Sequence, residues 1–240
     1  MASKPGFPEI LAFGPTGYGD ELAWGALVTV AIALLAYGLG LLIGIVGALG
    51  KLNGSPLTRT ILGGYTTLVR AVPELVLILI LYYAGSSALN ALLESLGYGP
   101  FAINGFVAAV FVLGFVQGAY STEVLRGAIQ AIPIGQIEAA RAYGMSPLLE
   151  FRRVTLPAML PFALPGLANL WLIVTKDTAL IAVVGYAELA LSTRQAAGNT
   201  KMYLTFFLVA GAIYLAITLV SQQGFAWLER RVRRGQRSHK

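Results

Sequence analysis

Charge-free apolar runs of hydrocarbon length alternate along this chain with short segments that hold most of its ionised groups. The first run, LAWGALVTVAIALLAYGLGLLIGIVGALG, places 29 residues without a charge between Glu21 and Lys51. A helix crosses a bilayer with about 20 apolar residues, so this run predicts a spanning helix. A second extends roughly from Ile61 to Tyr83 and is interrupted by Arg70 and Glu74. A third lies in the 28 uncharged residues from Ser95 to Thr122, after a Gly-Pro turn, and continues past Glu123. The fourth runs from Pro157 through Lys176 and Asp177 to Val184, and the fifth fills the 27 uncharged residues from Met202 to Leu228. The pattern predicts an all-α polytopic membrane protein with about five transmembrane helices. No internal repeat is evident. Residues 22–229 therefore read as one transmembrane domain, with an external segment 1–21 before it and a basic tail 230–240 after it.

Composition agrees with lipid as the solvent. The chain is 57% hydrophobic and 12% charged, with a mean hydropathy of +0.73, whereas soluble domains carry about a quarter charged residues. The net charge of +6 sits in short loops and the tail, which makes it a topology signal and argues against a nucleic-acid partner. Eleven Lys or Arg residues fall in the tail, the loop after the first span and the segment 138–157, against three (Lys4, Arg194, Lys201) on the other side. The positive-inside rule then puts the N-terminus outside and the C-terminus in the cytoplasm. The first twenty residues lack the short apolar core and cleavage pattern of a signal peptide. No cysteine is present and the single histidine, His239, lies in the tail. Thiol chemistry, metal clusters and Ser-His or Cys-His nucleophiles are thereby excluded. Gly40 with Gly44, and Gly114 with Gly118, have the GxxxG spacing that allows helices to approach closely.

One segment breaks the hydrocarbon pattern. EAARAYGMSPLLEFRRVTLP, residues 138–157, holds three arginines and two glutamates between apolar spans. Ile137 to Tyr143 reads as a helix, Gly144 suits the left-handed position that ends one, and Ser146 with Pro147 reads as N-cap and first helical residue. Glu150 falls in a favourable first turn, and Pro157 is expected to open the fourth span. Ala139 and Ala140 leave a small face for a partner's groove, with Glu138 and Arg141 fixing register. From these features alone, an ordinary amphipathic interfacial loop is the favoured reading.

Over its full length the segment resembles the EAA motif of ABC-importer permeases: Glu-Ala-Ala, three residues, Gly, nine residues, Ile-x-Leu-Pro. Glu138, Ala139, Ala140, Gly144, Leu156 and Pro157 match in place, and Val154 stands where isoleucine is usual. GYTTLVRAVPELVLILILYYAG, GAYSTEVLRGAIQAIP and LPGLANLWLIVTKDTALIAVVG look like the polar amino acid branch, most similar to subunits serving histidine, lysine, arginine, ornithine and opines. The resemblance covers about residues 22–230. It implies a type I ABC importer permease-like fold and a coupling loop at 130–157. In that loop Glu138, Ala139, Ala140, Arg141 and Gly144 would engage a separate ATPase. It further implies two ATP-binding subunits, a second permease chain (homologous or identical), an extracytoplasmic solute-binding protein, an amino-acid substrate and a bacterial inner membrane. The chain carries no GxxxxGK[ST] phosphate loop, so ATP would be bound by the partner. The chain itself is expected to be a transport subunit without catalytic residues, metal or cofactor.

Ionisable residues at bilayer depth are costly and face a bundle interior, a cavity or each other. Arg70 and Glu74, four apart, are expected on one helix face across Pro73, and Glu123 and Arg126, three apart, on another. Arg70, Glu74, Glu123, Lys176 and Asp177 are candidates for a substrate pathway. A carboxylate among them would meet a cationic side chain, and Arg70 or Lys176 an α-carboxylate. The alternative is that these groups only pair structurally. Pro157, Pro161 and Pro165 each remove a backbone donor, so the start of the fourth span is expected to kink or break. The tail is placed against membrane lipid headgroups. Rival readings are a permease of this kind for a neutral or acidic amino acid such as glutamine, a secondary transporter, and a membrane scaffold.

Overall fold

The computed structural model describes residues 7–14 and 17–233, and among them there are helices and turns but no strand. In chain order the elements are α1 (Phe7–Ile10), α2 (Gly19–Asn53), α3 (Pro56–Ala71), α4 (Glu74–Ser95), α5 (Gly105–Gln130), α6 (Ile134–Ala142) and α7 (Pro147–Glu150). A π-helical turn (Phe151–Thr155) leads into α8 (Leu156–Asp177), then a 3-10 segment (Thr178–Val184), α9 (Leu189–Thr200) and α10 (Tyr203–Arg233). Five stretches are long and apolar enough to cross a membrane: Gly19–Asn53, Glu74–Ser95, Gly105–Gln130, Pro147–Val184 and Tyr203–Arg233. The five expected spans are therefore present. Residues 1–6 and 15–16 of the N-terminal segment and 234–240 of the tail lie outside the described residues.

Two of the spans begin elsewhere than the hydropathy pattern predicts. The second starts at Glu74, not near Ile61. Val72 is extended (φ −96°, ψ 138°) and closes α3 by donating its N–H to Leu68. The residue before a proline is pushed out of the helical region, so Val72-Pro73 ends one helix and Glu74 begins another. The fourth span starts ten residues before Pro157, at Pro147. Pro157 does not open it, and Pro161 and Pro165 lie inside α8 without interrupting it. What the prolines accompany is a wider turn just upstream, where the Leu156 N–H reaches back five residues to Phe151. Proline cannot donate to the carbonyl four residues behind it, and a π turn is a local way to lodge such a mismatch.

The chain divides into two compact units. One comprises Met1–Ala36, Leu75–Leu113 and Val174–Thr218; the other comprises Tyr37–Glu74, Gly114–Ile173 and Leu219–Lys240.

In the first unit, Ile10, Leu22, Leu189, Ala196, Ala197, Phe206 and Ala210 form a buried cluster. Tyr18 meets Phe206 edge-on, with ring centroids 5.5 Å apart.

In the second unit the core comprises Ala48, Leu125, Ala128, Ile132, Met159, Ala163, Leu167 and Leu170. The GxxxG pairs are where α2 and α5 cross. A Cβ built on Gly44 would stand 2.5 Å from the Ser121 Cβ and 3.0 Å from its backbone carbon, and one on Gly40 would stand 2.8 Å from Gln117. No side chain fits there without moving a backbone. Tyr37 and Gln117 tie this crossing to α8 by donating to the carbonyls of Leu167 and Leu170, each at 3.0 Å.

Candidate coupling loop and charged clusters

The segment 134–155 folds as a helix, a tight turn and a second helix. Gly144 has φ +73°, as a left-handed C′ position requires. Its N–H donates to Arg141 at 2.8 Å and the Met145 N–H donates to Ala140 at 3.2 Å, the paired bonds of a Schellman motif. Ser146 (φ −64°, ψ 155°) precedes Pro147 at the first helical position, although its hydroxyl makes no capping bond.

The two alanines do not share a surface. Consecutive helix residues point about 100° apart; Ala139 is exposed, while Ala140 is buried against its own chain. A small face built on both is therefore not available to a partner. Glu138 is exposed. Arg141 turns back on the loop, where its Nε donates to Oε2 of Glu150 at 2.8 Å. That carboxylate raises the Arg141 pKa further above its ordinary value, by hydrogen bonding first and by charge second. Three large apolar side chains of the loop, Ile134, Tyr143 and Leu148, are 66%, 87% and 78% exposed. Exposed apolar groups clustered beside polar ones mark partner surfaces. They escape a motif-based reading because the motif's fixed positions lie elsewhere. Behind the loop lies a cavity of about 850 Å³, lined among others by Leu49, Leu52, Ile137, Met145 and Phe151.

A second polar group ties α2, α3 and α5. Lys51 Nζ donates to Glu123 Oε1 at 2.5 Å and to the Thr66 hydroxyl at 2.7 Å. Arg126 donates to Glu123 Oε2 from Nε at 3.0 Å and from a terminal nitrogen at 2.8 Å, and a further bond reaches Gln130. The expected Glu123–Arg126 pair is present. Lys51, read from sequence only as an orientation marker, is its third member. Both Glu123 oxygens are thus occupied by cations of the chain itself.

Arg70 and Glu74 are not on one helix face. The break at Val72 and Pro73 separates them, Arg70 is exposed at the end of α3, and no ion pair joins it to Glu74. Glu74 is half-buried at the start of α4. Lys176 is exposed and Asp177 half-buried where α8 passes into the 3-10 segment.

One ionisable residue was not singled out by the sequence at all. Glu188 is fully buried at the N-terminus of α9. Its carboxyl accepts from the Leu191 N–H at 3.0 Å, the Thr29 hydroxyl at 3.1 Å and the Tyr214 hydroxyl at 3.0 Å. Burial pushes its pKa up, against hydrogen bonds from Ala190, Leu191, Tyr214 and Thr29 that pull it down. Its only sequence signal is a glutamate three residues before a helix N–H, among apolar neighbours.

The profile of the family described as binding-protein-dependent transport system inner membrane component matches residues 40–234. The chain belongs to this family. Among curated members, the octopine transport system permease protein OccQ of Rhizobium radiobacter is 39% identical over 230 residues, covering 95% of this chain and 97% of that protein. The histidine/lysine/arginine/ornithine transport system permease protein HisQ of Escherichia coli strain K12 is 42% identical over 215 residues, covering 90% and 94%. A crystal structure of an amino acid ABC transporter with histidines superposes with a TM-score of 0.75 at 29% identity, covering 89% of this chain and 95% of that one. The chain is thus an ABC-importer permease, a multi-pass membrane component that is similar to amino acid and opine permease subunits and shares its fold with an amino acid ABC transporter.

Proposed function

We propose that this permease is the translocation subunit of an ATP-driven importer for basic amino acids or related opines, coupled to a separate ATPase through residues 134–155. The observation that carries this reading is the continuity of the loop with a span. The EAA segment folds as a helix-turn-helix whose second helix runs without a break into α8. A force applied at the exposed Leu148 therefore reaches the interior of the spanning bundle along one helix, and one applied at Glu138, Ala139, Arg141 or the exposed Tyr143 reaches it across the Gly144 turn. Gly144 keeps the turn tight, and Ala140 roots it in the core. The relatives named for octopine and for histidine, lysine, arginine and ornithine transport support the substrate class.

In this assembly there are two ATP-binding subunits, one of which docks on this loop. A second permease chain, identical or similar, completes the pathway, and an extracytoplasmic binding protein delivers substrate. The loop and the C-terminal end of α10 face the cytoplasm of a bacterial cell, and the N-terminus faces out. The last turn of α10 carries Arg230, Arg231 and Arg233 at the lipid headgroups. Along the pathway, Glu74 and Asp177 are the candidate carboxylates for a cationic substrate side chain, and Arg70 and Lys176 the candidate donors for its α-carboxylate. Glu123, held by Lys51 and Arg126, offers no free oxygen in this arrangement.

Proteoliposomes containing the permease, its ATPase and the binding protein provide the test. Uptake of labelled arginine should require internal ATP and persist with a proton uncoupler. Uptake that continues without ATP and collapses with the uncoupler would identify a secondary transporter instead.

A further inference from the structure

The coupling loop is attached to its own bundle in an uneven way. Ala140 is buried and Ile137 packs against the core of the second unit, but every other residue of α6 is exposed. Arg141 and Glu150 both line the cavity behind the loop. Apolar packing therefore does not fix the angle between α6 and the helix that follows. The tie that spans the turn is ionic: Arg141 Nε to Glu150 Oε2 at 2.8 Å and a terminal nitrogen to Oε1 at 3.4 Å. It joins residues nine apart in sequence, one on each side of the Schellman turn.

The two partners differ in exposure. The Arg141 side chain is 67% exposed and that of Glu150 only 13%. Surface ion pairs contribute little to stability because water screens them and long side chains lose freedom. A carboxylate drawn this far out of water, however, must be held by a donor, and here that donor is the arginine of the EAAR sequence. Glu150 is also the last residue of α7, immediately before the π turn that leads into α8. The pair thus links the docking helix to the first turn of the fourth span.

We propose that Glu150 is a positioning residue for energy coupling: by clasping Arg141 across the Gly144 turn, it sets the angle at which the docking helix meets the fourth spanning helix. The inference rests on the reading of 134–155 as the ATPase-coupling loop. Glu150 orients α6; it does not touch substrate or nucleotide.

The test uses the reconstituted complex and reads arginine imported per ATP hydrolysed, together with co-purification of the ATPase. Glu150→Gln should lower the transport-to-hydrolysis ratio by about twofold to thirtyfold, the range for mutations that alter coupling between sites. The melting temperature should stay close to that of the parent. The exchange R141E with E150R should recover most of the ratio, while each single reversal should lose it. Glu150→Asp, which keeps the charge on a shorter stem, should give an intermediate value and covers the case of a glutamine variant that misfolds. An unchanged ratio in Glu150→Gln, or an exchange no better than either reversal, would overturn the clasp while leaving ATP-driven import intact. A parent complex without ATP-dependent uptake would instead overturn the coupling reading itself, and the clasp with it.

Discussion

Replacing Glu123 by glutamine should destabilise the protein, and the geometry gives the size of the effect. The carboxylate receives three charge-assisted bonds, one from Lys51 and two from Arg126, at 2.5, 3.0 and 2.8 Å. Its side chain and that of Lys51 are each 16% exposed, so water replaces little of what is lost. Hydrogen bonds to charged groups contribute about 1.5–3 kcal/mol each. The amide keeps one acceptor oxygen for one cation and turns an N–H group toward the other, so roughly half of the interaction goes, about 2–4 kcal/mol. For a chain of this size 1 kcal/mol moves the melting temperature by about 2–4 °C, so a fall of about 4–16 °C is expected. The assay is thermal unfolding of the purified permease in detergent, monitored by intrinsic tryptophan fluorescence. Arg126→Gln, whose side chain is 33% exposed, should cost less. Lys51→Met combined with Glu123→Gln should cost less than the two single effects added, because they break the same bond. A Glu123→Gln protein that melts with the parent would refute the view that this cluster ties α2, α3 and α5.

Two further outcomes follow from the same structure. Gly44→Val should destabilise by about 1–3 kcal/mol through overpacking of the α2–α5 crossing, whereas Gly63→Ala, where a new Cβ meets nothing within 4 Å, should not; equal melting temperatures would contradict the crossing. Glu188 should make stability fall as pH rises. Its pKa is raised in the folded state, so above the ordinary value of about 4.3 the native form holds the proton that the unfolded chain releases. The contribution is complete below the unfolded value and is lost as pH rises through the raised folded one. Melting between pH 4 and 8 should show a shallower decline in Glu188→Gln than in the parent, and identical slopes would refute it.

Much of this architecture is legible in the sequence, for identifiable reasons. Charge-free runs of spanning length are governed by the cost of burying ions in hydrocarbon, so α2, α5 and α10 follow from them. Gly144 and Pro147 are read correctly because left-handed backbone and a helix start each favour one residue type. The pair Glu123–Arg126 follows from helical spacing alone. Other features depend on information that hydropathy does not carry. The α3–α4 break comes from a single Val-Pro step inside an apolar run, and an averaged pattern passes over it. The fourth span begins at Pro147 because backbone bonding continues through the polar Phe151–Thr155 turn, where Arg152 and Arg153 look like a loop. Lys51 reaches Glu123 across 72 positions of sequence, and Glu188 finds Thr29 across 159. No local spacing announces such partners. Ala139 and Ala140 show the same limit within one helix, since only packing decides which of two adjacent alanines faces out.

The claim that residues 134–155 receive the ATPase is tested most directly by cross-linking. The chain contains no cysteine, so Ala139→Cys or Tyr143→Cys introduces a single thiol on the exposed side of the loop, where the buried Ala140 would not serve. Each variant is co-expressed with the ATP-binding subunit carrying one cysteine in its docking cleft, and disulfide formation is followed with and without ATP. A cross-link at both positions whose yield changes with nucleotide is the predicted result. Absence of any cross-link, with the permease folded and the ATPase present in the same membrane, would contradict the account.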